Sequence, residues 1–210
     1  ENKMIAISSK LNIKNYLWAV GLKGSFITEW KKGRQVYSFD LRNLGDSFLS
    51  LWESVLTVYA LARSFGMAPK SILTKCSGFV PLAHRSQWVD EIKGVVFIND
   101  SKATNVDATI HALKTFKNVH LILGGRAKED NFRQLQDSMK NISRIYLIGE
   151  AASLIASNLE GHEIEQFDTL NDAFDSAISI ATQGDTILFS PACASFDQYL
   201  NFEERGKHFI

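Results

Sequence analysis

Two rhythms of apolar residues divide this chain. From residue 86 onward, short apolar runs alternate with stretches of helical period. Val95–Asn99, Val119–Leu123, Arg144–Ile148, Glu163–Phe167 and Thr186–Phe189 read as strands, and the segments near 104–116, 131–140, 150–158, 169–182 and 196–205 read as helices. The central runs are apolar throughout, as a strand must be when both of its faces are covered. Strict strand–helix alternation of this kind predicts an α/β domain built on a doubly wound, mostly parallel sheet.

Residues 1–80 follow a different rhythm. Met4–Ile7, Tyr16–Val20, Ser25–Thr28 and Gln35–Phe39 have strand character, with Lys31-Lys-Gly-Arg34 as a hairpin turn. Between Asp46 and Phe65 the apolar residues Leu49, Trp52, Val55, Leu56, Tyr59 and Leu61 recur at a helical period, and Gly66 follows where a C-cap glycine belongs. Ala68-Pro69 opens a second, short helix, and Pro81 marks a linker. The expected organisation is therefore a mixed α/β segment, 1–80, followed by the parallel-sheet domain, 81–210.

Composition narrows the partners. The 23 Lys plus Arg residues balance 23 Asp plus Glu, so the formal net charge is zero. With no basic face implied, no nucleic-acid partner is expected. No apolar run approaches the roughly 20 residues of a membrane span, and no signal-peptide pattern opens the chain, so membrane insertion is not expected. Cys76 and Cys193 lack metal-ligand spacing and read as free thiols of a reducing cytoplasm. His111, His120, His162 and His208 likewise show no metal spacing and read as surface residues.

In doubly wound sheets ligands bind at the carboxyl ends of the strands. Three loops there carry chemistry. Asn99-Asp-Ser-Lys-Ala-Thr-Asn105 crowds polar side chains after a strand; Asp100, Ser101 or Thr104 can each serve as a helix cap, but a cap does not require all of them. Lys102 suits a phosphate or carboxylate, and Asp100 suits ribose hydroxyls. Gly124-Gly-Arg-Ala-Lys128 allows close backbone approach but lacks the third glycine of a dinucleotide loop, and it is not a Walker A loop. Lys128 is a candidate carboxylate partner or a solvated turn residue. The third loop, Ser190-Pro-Ala-Cys-Ala-Ser195, is small enough for a ligand to reach the backbone at the start of the helix expected next. Ser195 suits a substrate carboxylate and has no nucleophile-elbow frame. Phe202 is a core residue by default, yet close enough to this loop to line a pocket. Arg85, beside the linker, has the planar fork that matches a phosphate.

Four stretches, His84–Trp88, Phe97–Thr109, Leu121–Phe132 and Ser190–Gly206, together resemble the Mur ligase family, in particular its D-glutamate-adding branch. The resemblance covers residues 84–206; residues 1–80 resemble the tail of the family's central ATP-binding domain more weakly. It implies a Rossmann-like C-terminal domain. It also implies an ATP-dependent amide ligase joining D-glutamate to UDP-N-acetylmuramoyl-L-alanine in peptidoglycan precursor synthesis, through an acyl phosphate. Carried onto this sequence, it implies nucleotide contact by Arg85 and Asp100, D-glutamate binding by Lys128, Ser195 and Phe202, and a reaction centre held by Lys102 and Thr104. ATP and Mg²⁺ are the implied cofactors, the bacterial cytoplasm the implied location, and a monomer the implied state. The Walker A loop, the Mg²⁺ ligands and the UDP-gripping domain of the family do not occur in these residues, and the helix that carries a His-Asn-x-x-Asn stretch in the family reads Ser47–Ala62 without it. The chain is therefore expected to be the C-terminal half of a ligase, unable to form the amide bond alone, with Pro81 to Arg85 as a hinge. The alternatives are a sister Mur ligase, a folylpolyglutamate synthase-like ligase, or a Rossmann-like binding module without catalysis.

Overall fold

The computed structural model describes residues 5–8, 16–45, 48, 51–80, 82–128 and 131–210, and the chain divides into two compact units, residues 1–80 and 81–210. In the first, strands β1 (Ala6–Ser8), β2 (Trp18–Lys23), β3 (Phe26–Lys31) and β4 (Arg34–Asp40) form one sheet in that order, with β1 parallel to β2 and the remaining pairs antiparallel. Lys32 and Gly33 both have positive φ, 50° and 72°. That is the turn whose twist suits a two-residue hairpin, as the Lys31–Arg34 run predicts. Helices α1 (Trp52–Ser64) and α2 (Pro69–Cys76) cover the sheet, burying Val55, Leu56, Tyr59, Ile72 and Leu73 against Val20 and Ile27. The N-terminal part of the longer helix expected from Asp46, including Leu49, lies outside the described residues.

The second unit is a six-stranded sheet. Its strands are β5 (Gln87–Ile92), β6 (Val95–Asn99), β7 (Val119–Gly124), β8 (Ile142–Ile148), β9 (Ile164–Phe167) and β10 (Thr186–Phe189), in the order β5-β6-β10-β7-β8-β9. All neighbours are parallel except β5 with β6. Alternate residues feed two cores: Ile98, Leu121, Leu123, Ile145, Leu147 and Leu188 point to one face, and Phe97, Ile122, Tyr146, Ile148, Ile187 and Phe189 to the other. The first face is covered by α3 (Val106–Leu113), α4 (Ala152–Asn158) and a 3-10 segment, Phe132–Ser138; the second by α5 (Leu170–Ile180) and α6 (Phe202–Phe209). This is the doubly wound Rossmann-like architecture expected from the alternation.

Several local expectations are corrected. The segment 131–140 is 3-10 rather than α-helical: Asn131 makes no capping hydrogen bond, and the buried pair Phe132 and Leu135 is spaced by three, which matches three residues per turn. The last helix begins at Phe202, where the Asn201 side chain accepts from Glu204 N–H at 2.8 Å. Phe196 and Leu200, apolar markers of an earlier start, are instead exposed. No α-helix therefore starts beside Ser195; its carbonyl closes a single turn with Gln198 and Tyr199 N–H. His120 is buried, with Nδ1 2.9 Å from the Tyr146 hydroxyl and Nε2 3.4 Å from Asp185. Strand β5 was not expected at all.

Candidate functional site

The chain leaves β6, β10 and β7, three adjacent strands, through the three polar or glycine-rich loops that follow them in sequence. Backbone bonds then lock these loops together. Arg126 and Ala194 exchange two N–H···O bonds of 2.9 Å, Gly124 N–H donates to Pro191 O at 2.9 Å, and Asp100 N–H donates to Phe189 O at 2.8 Å. Gly125 has φ +131°, and a Cβ there would collide with the Ala194 carbonyl, so only glycine allows the second and third loops to meet. Asn105, rather than Asp100, Ser101 or Thr104, caps α3 by accepting from Ala108 N–H at 2.9 Å. The polar residues before it are thus free for other tasks.

Those loops and the start of α6 border a half-open cavity of about 310 Å³, lined among others by Lys102, Thr104, Lys128, Ser195, Phe202 and Glu203. Five candidate residues from four separate segments meet there. The Lys102 ammonium lies 3.9 Å from the Phe202 ring centroid, a cation–π contact that orients the charge without neutralising it. Lys128 Nζ donates to Thr104 Oγ1 at 3.3 Å. Neither lysine is in an ion pair among the described residues. The cavity lining thus carries two ammonium groups outside any ion pair among the described residues, two hydroxyl-bearing side chains, an aromatic wall and one carboxylate, Glu203, a set of polar groups able to orient a small polar ligand.

Asp100 and Arg85 are not among the lining residues of this cavity. Arg85 is exposed, and no hydrogen bond or ion pair among the described residues engages its guanidinium. Asp100 is 7% exposed, with its carboxylate accepting from Ser86 N–H and the Ser190 hydroxyl, both at 2.8 Å. Burial pushes its carboxyl up to about 6, against the pull of those two donors. A carboxyl raised in the folded state favours folding at pH below its unfolded value near 4, and that contribution is lost as pH rises to about 6. The shift corresponds to something on the order of 3 kcal/mol. Asp100→Asn should therefore gain about 5–10 °C in melting temperature relative to the unsubstituted protein between pH 4 and pH 7. Calorimetric scans across that range check it; a constant difference contradicts it.

Two supporting residues lie within stretches that the sequence singles out, but the linear pattern assigns neither a task. Asn99 donates from Nδ2 to Gly206 O at 2.8 Å and to His84 Nδ1 at 3.0 Å, with its orientation set by Ser101 N–H on Oδ1. His84 must then accept at Nδ1 and carry its proton on Nε2; burial keeps it on the neutral side. Arg205, on α6, is the other. Neither a buried Asn nor a buried Arg leaves a mark in a linear pattern. Among the described residues no group of three or more His, Cys, Asp or Glu side chains is placed to hold a metal ion, so these residues by themselves offer Mg²⁺ no ligand set.

Fold and cavity together define an α/β protein with a lysine- and hydroxyl-lined cavity at the carboxyl ends of a doubly wound sheet. The Mur ligase, glutamate ligase domain family matches residues 84–193, and the chain belongs to the Mur ligase family. It is 38% identical over its whole length to a UDP-N-acetylmuramoylalanine–D-glutamate ligase from Cereibacter sphaeroides, of which it covers 45%. The chain thus spans about half the length of the curated relatives it matches. The structure resembles a UDP-N-acetylmuramate–alanine ligase from Thermotoga maritima, with a TM-score of 0.66 and 16% identity over 92% of this chain and 45% of that one. It also resembles a bifunctional folylpolyglutamate synthase/dihydrofolate synthase with Mn, AMPPNP and L-glutamate bound, with a TM-score of 0.61 and 17% identity over 93% of this chain and 47% of that one. These two likenesses establish the fold alone.

Proposed function

We propose that this chain is the amino-acid-receiving part of an ATP-dependent amide ligase that adds D-glutamate to UDP-N-acetylmuramoyl-L-alanine, in the cytoplasmic synthesis of peptidoglycan precursors. The observation that carries the proposal is the convergence of Lys102, Thr104, Lys128, Ser195 and Phe202 on one cavity of about 310 Å³. Residues 1–80 are assigned to the central ATP-binding domain of such a ligase. Arg85, whose guanidinium has no partner among the described residues, and Asp100, ionised above about pH 6, are assigned to the nucleotide.

ATP supplies the phosphoryl group that makes the acceptor carboxylate reactive. What the residues of this chain contribute is placement. Lys102 and Lys128 receive the two carboxylates of D-glutamate, and Ser195 and Thr104 supply hydrogen bonds to them. Phe202 walls the aliphatic stem and fixes Lys102. With both carboxylates held, the α-amine is the one group left to face the acyl centre. Two nearby ammonium groups also favour its neutral, nucleophilic form. No protein nucleophile is required; positioning of this kind is worth up to about 7–11 kcal/mol of a barrier.

A second reading has one observation behind it. A cavity with two lysines suits L-glutamate as well, and the folylpolyglutamate synthase neighbour is described with L-glutamate bound. Phosphate release from ATP by the complete gene product carrying this sequence, assayed with D- and L-glutamate, separates the two. The proposal expects D-glutamate alone to support release with UDP-N-acetylmuramoyl-L-alanine as acceptor.

A further inference from the structure

Arg205 is the largest fully buried side chain among the described residues, 1% exposed. Its surroundings differ from those of a typical buried arginine. No carboxylate is within ion-pair distance of it among the described residues. Its partners are neutral: Nε donates to Ser101 Oγ at 3.1 Å, and Nη2 donates to Ser101 O at 2.9 Å and to Cys193 O at 3.0 Å. Among the described residues Nη1 has no hydrogen-bond partner, and a Cβ on Gly125 would lie 3.1 Å from it. The guanidinium carbon is 5.7 Å from the Phe189 ring centroid. Burial pulls the group down only to about 10, so it stays charged at neutral pH.

Burying an unpaired charge is costly, and an apolar side chain of similar size generally serves stability better. The carbonyls that Arg205 holds give the compensating reason. Ser101 directly precedes Lys102, Cys193 lies two residues before Ser195, Gly125 belongs to the loop that carries Lys128, and the helix bearing Arg205 begins with Phe202. One rigid, planar group therefore ties two of the four segments that build the cavity to its own helix, and lies beside the third loop at Gly125.

We infer that Arg205 is a positioning residue of the amino-acid site, which sets the spacing of Lys102, Ser195 and Phe202 by clamping the Ser101 and Cys193 carbonyls to α6. The inference rests on the proposed ligase reading for its consequence in catalysis, and on geometry alone for its consequence in loop order. Lysine keeps the charge but not the fork that reaches Ser101 and Cys193 together.

Arg205→Lys and the milder Ser101→Ala, made in the complete gene product, test it in two ways. In steady-state kinetics Arg205→Lys raises the KM for D-glutamate tenfold or more, and Ser101→Ala raises it threefold or more, with the KM for ATP unchanged within twofold. In hydrogen exchange of the same proteins, amides of residues 100–104 and 192–195 exchange at least tenfold faster in Arg205→Lys while those of β8 keep their protection. Unchanged loop exchange, or an equal loss of protection across the sheet, overturns the inference whatever the enzyme's activity. An unchanged KM for D-glutamate with faster loop exchange also overturns it. Absence of D-glutamate-dependent turnover in the unsubstituted protein contradicts the ligase reading, and the exchange measurement then decides the clamp by itself. If Arg205→Lys does not fold, Ser101→Ala carries both measurements.

Discussion

Lys128→Ala in the complete gene product should raise the apparent KM for D-glutamate by about a hundredfold while changing the KM for ATP less than threefold. The Lys128 side chain is exposed on the cavity lining, and its one hydrogen bond among the described residues, to Thr104 Oγ1 at 3.3 Å, is long and uncharged at the acceptor. Substrate carboxylate therefore has little to displace. Removing one partner of a charge pair that the bound substrate itself buries typically costs about 2–5 kcal/mol; the lower half of that range corresponds to roughly 30- to 300-fold. The loss falls on D-glutamate because the nucleotide is assigned to Arg85 and Asp100 instead. An unchanged KM for D-glutamate removes Lys128 from the site.

The second large effect is on folding. Glu29 is 1% exposed in the first unit, yet its carboxylate receives four donors: Trp18 Nε1 at 2.8 Å, the Tyr59 hydroxyl at 2.8 Å, and Arg63 Nε and Nη2 at 2.9 and 3.0 Å. Burial works against the charge, but the donors outweigh it, and the carboxyl is held below its ordinary value. A carboxyl lowered in this way stabilises the fold above the unfolded pKa, and the contribution fades as pH falls through that range. Breaking a buried pair at one partner strands the other, at about 3–5 kcal/mol. Glu29→Gln should therefore destabilise the first unit by that amount at pH 7. Urea unfolding followed by tryptophan fluorescence measures it. Tyr59→Phe, which removes one donor and leaves the ion pair, should lose only about 1 kcal/mol. A loss below 1 kcal/mol for Glu29→Gln contradicts this account of the first unit's core.

How much of this was legible in the chain depends on where each signal lives. The central strands were, because β7 is buried on both faces from Val119 to Gly124 and so must be apolar at every step. Strand β5 was not: Gln87-Trp-Val-Asp-Glu-Ile is an exposed edge with charges on it, and its turn uses Lys93 at φ 52° ahead of Gly94. The start of α6 was misplaced because exposed Phe196 and Leu200 imitate a helix face, whereas the true boundary is a single capping bond at Asn201. Lys102, Thr104, Lys128 and Ser195 could be picked out since loops after parallel strands are where side chains are free to serve a ligand. Arg205 could not, because Glu-Glu-Arg-Gly-Lys reads as a solvated surface until the tertiary fold puts carbonyls from two distant loops around the guanidinium.

On the proposed reading this cavity receives D-glutamate for amide-bond formation. The most direct measurement is phosphate release from ATP by the complete gene product, with UDP-N-acetylmuramoyl-L-alanine as acceptor and D-glutamate, L-glutamate, L-lysine or diaminopimelate offered in turn. Release is expected with D-glutamate only, and is lost in Lys102→Ala. Release sustained equally by another amino acid, or by none of the four, contradicts it.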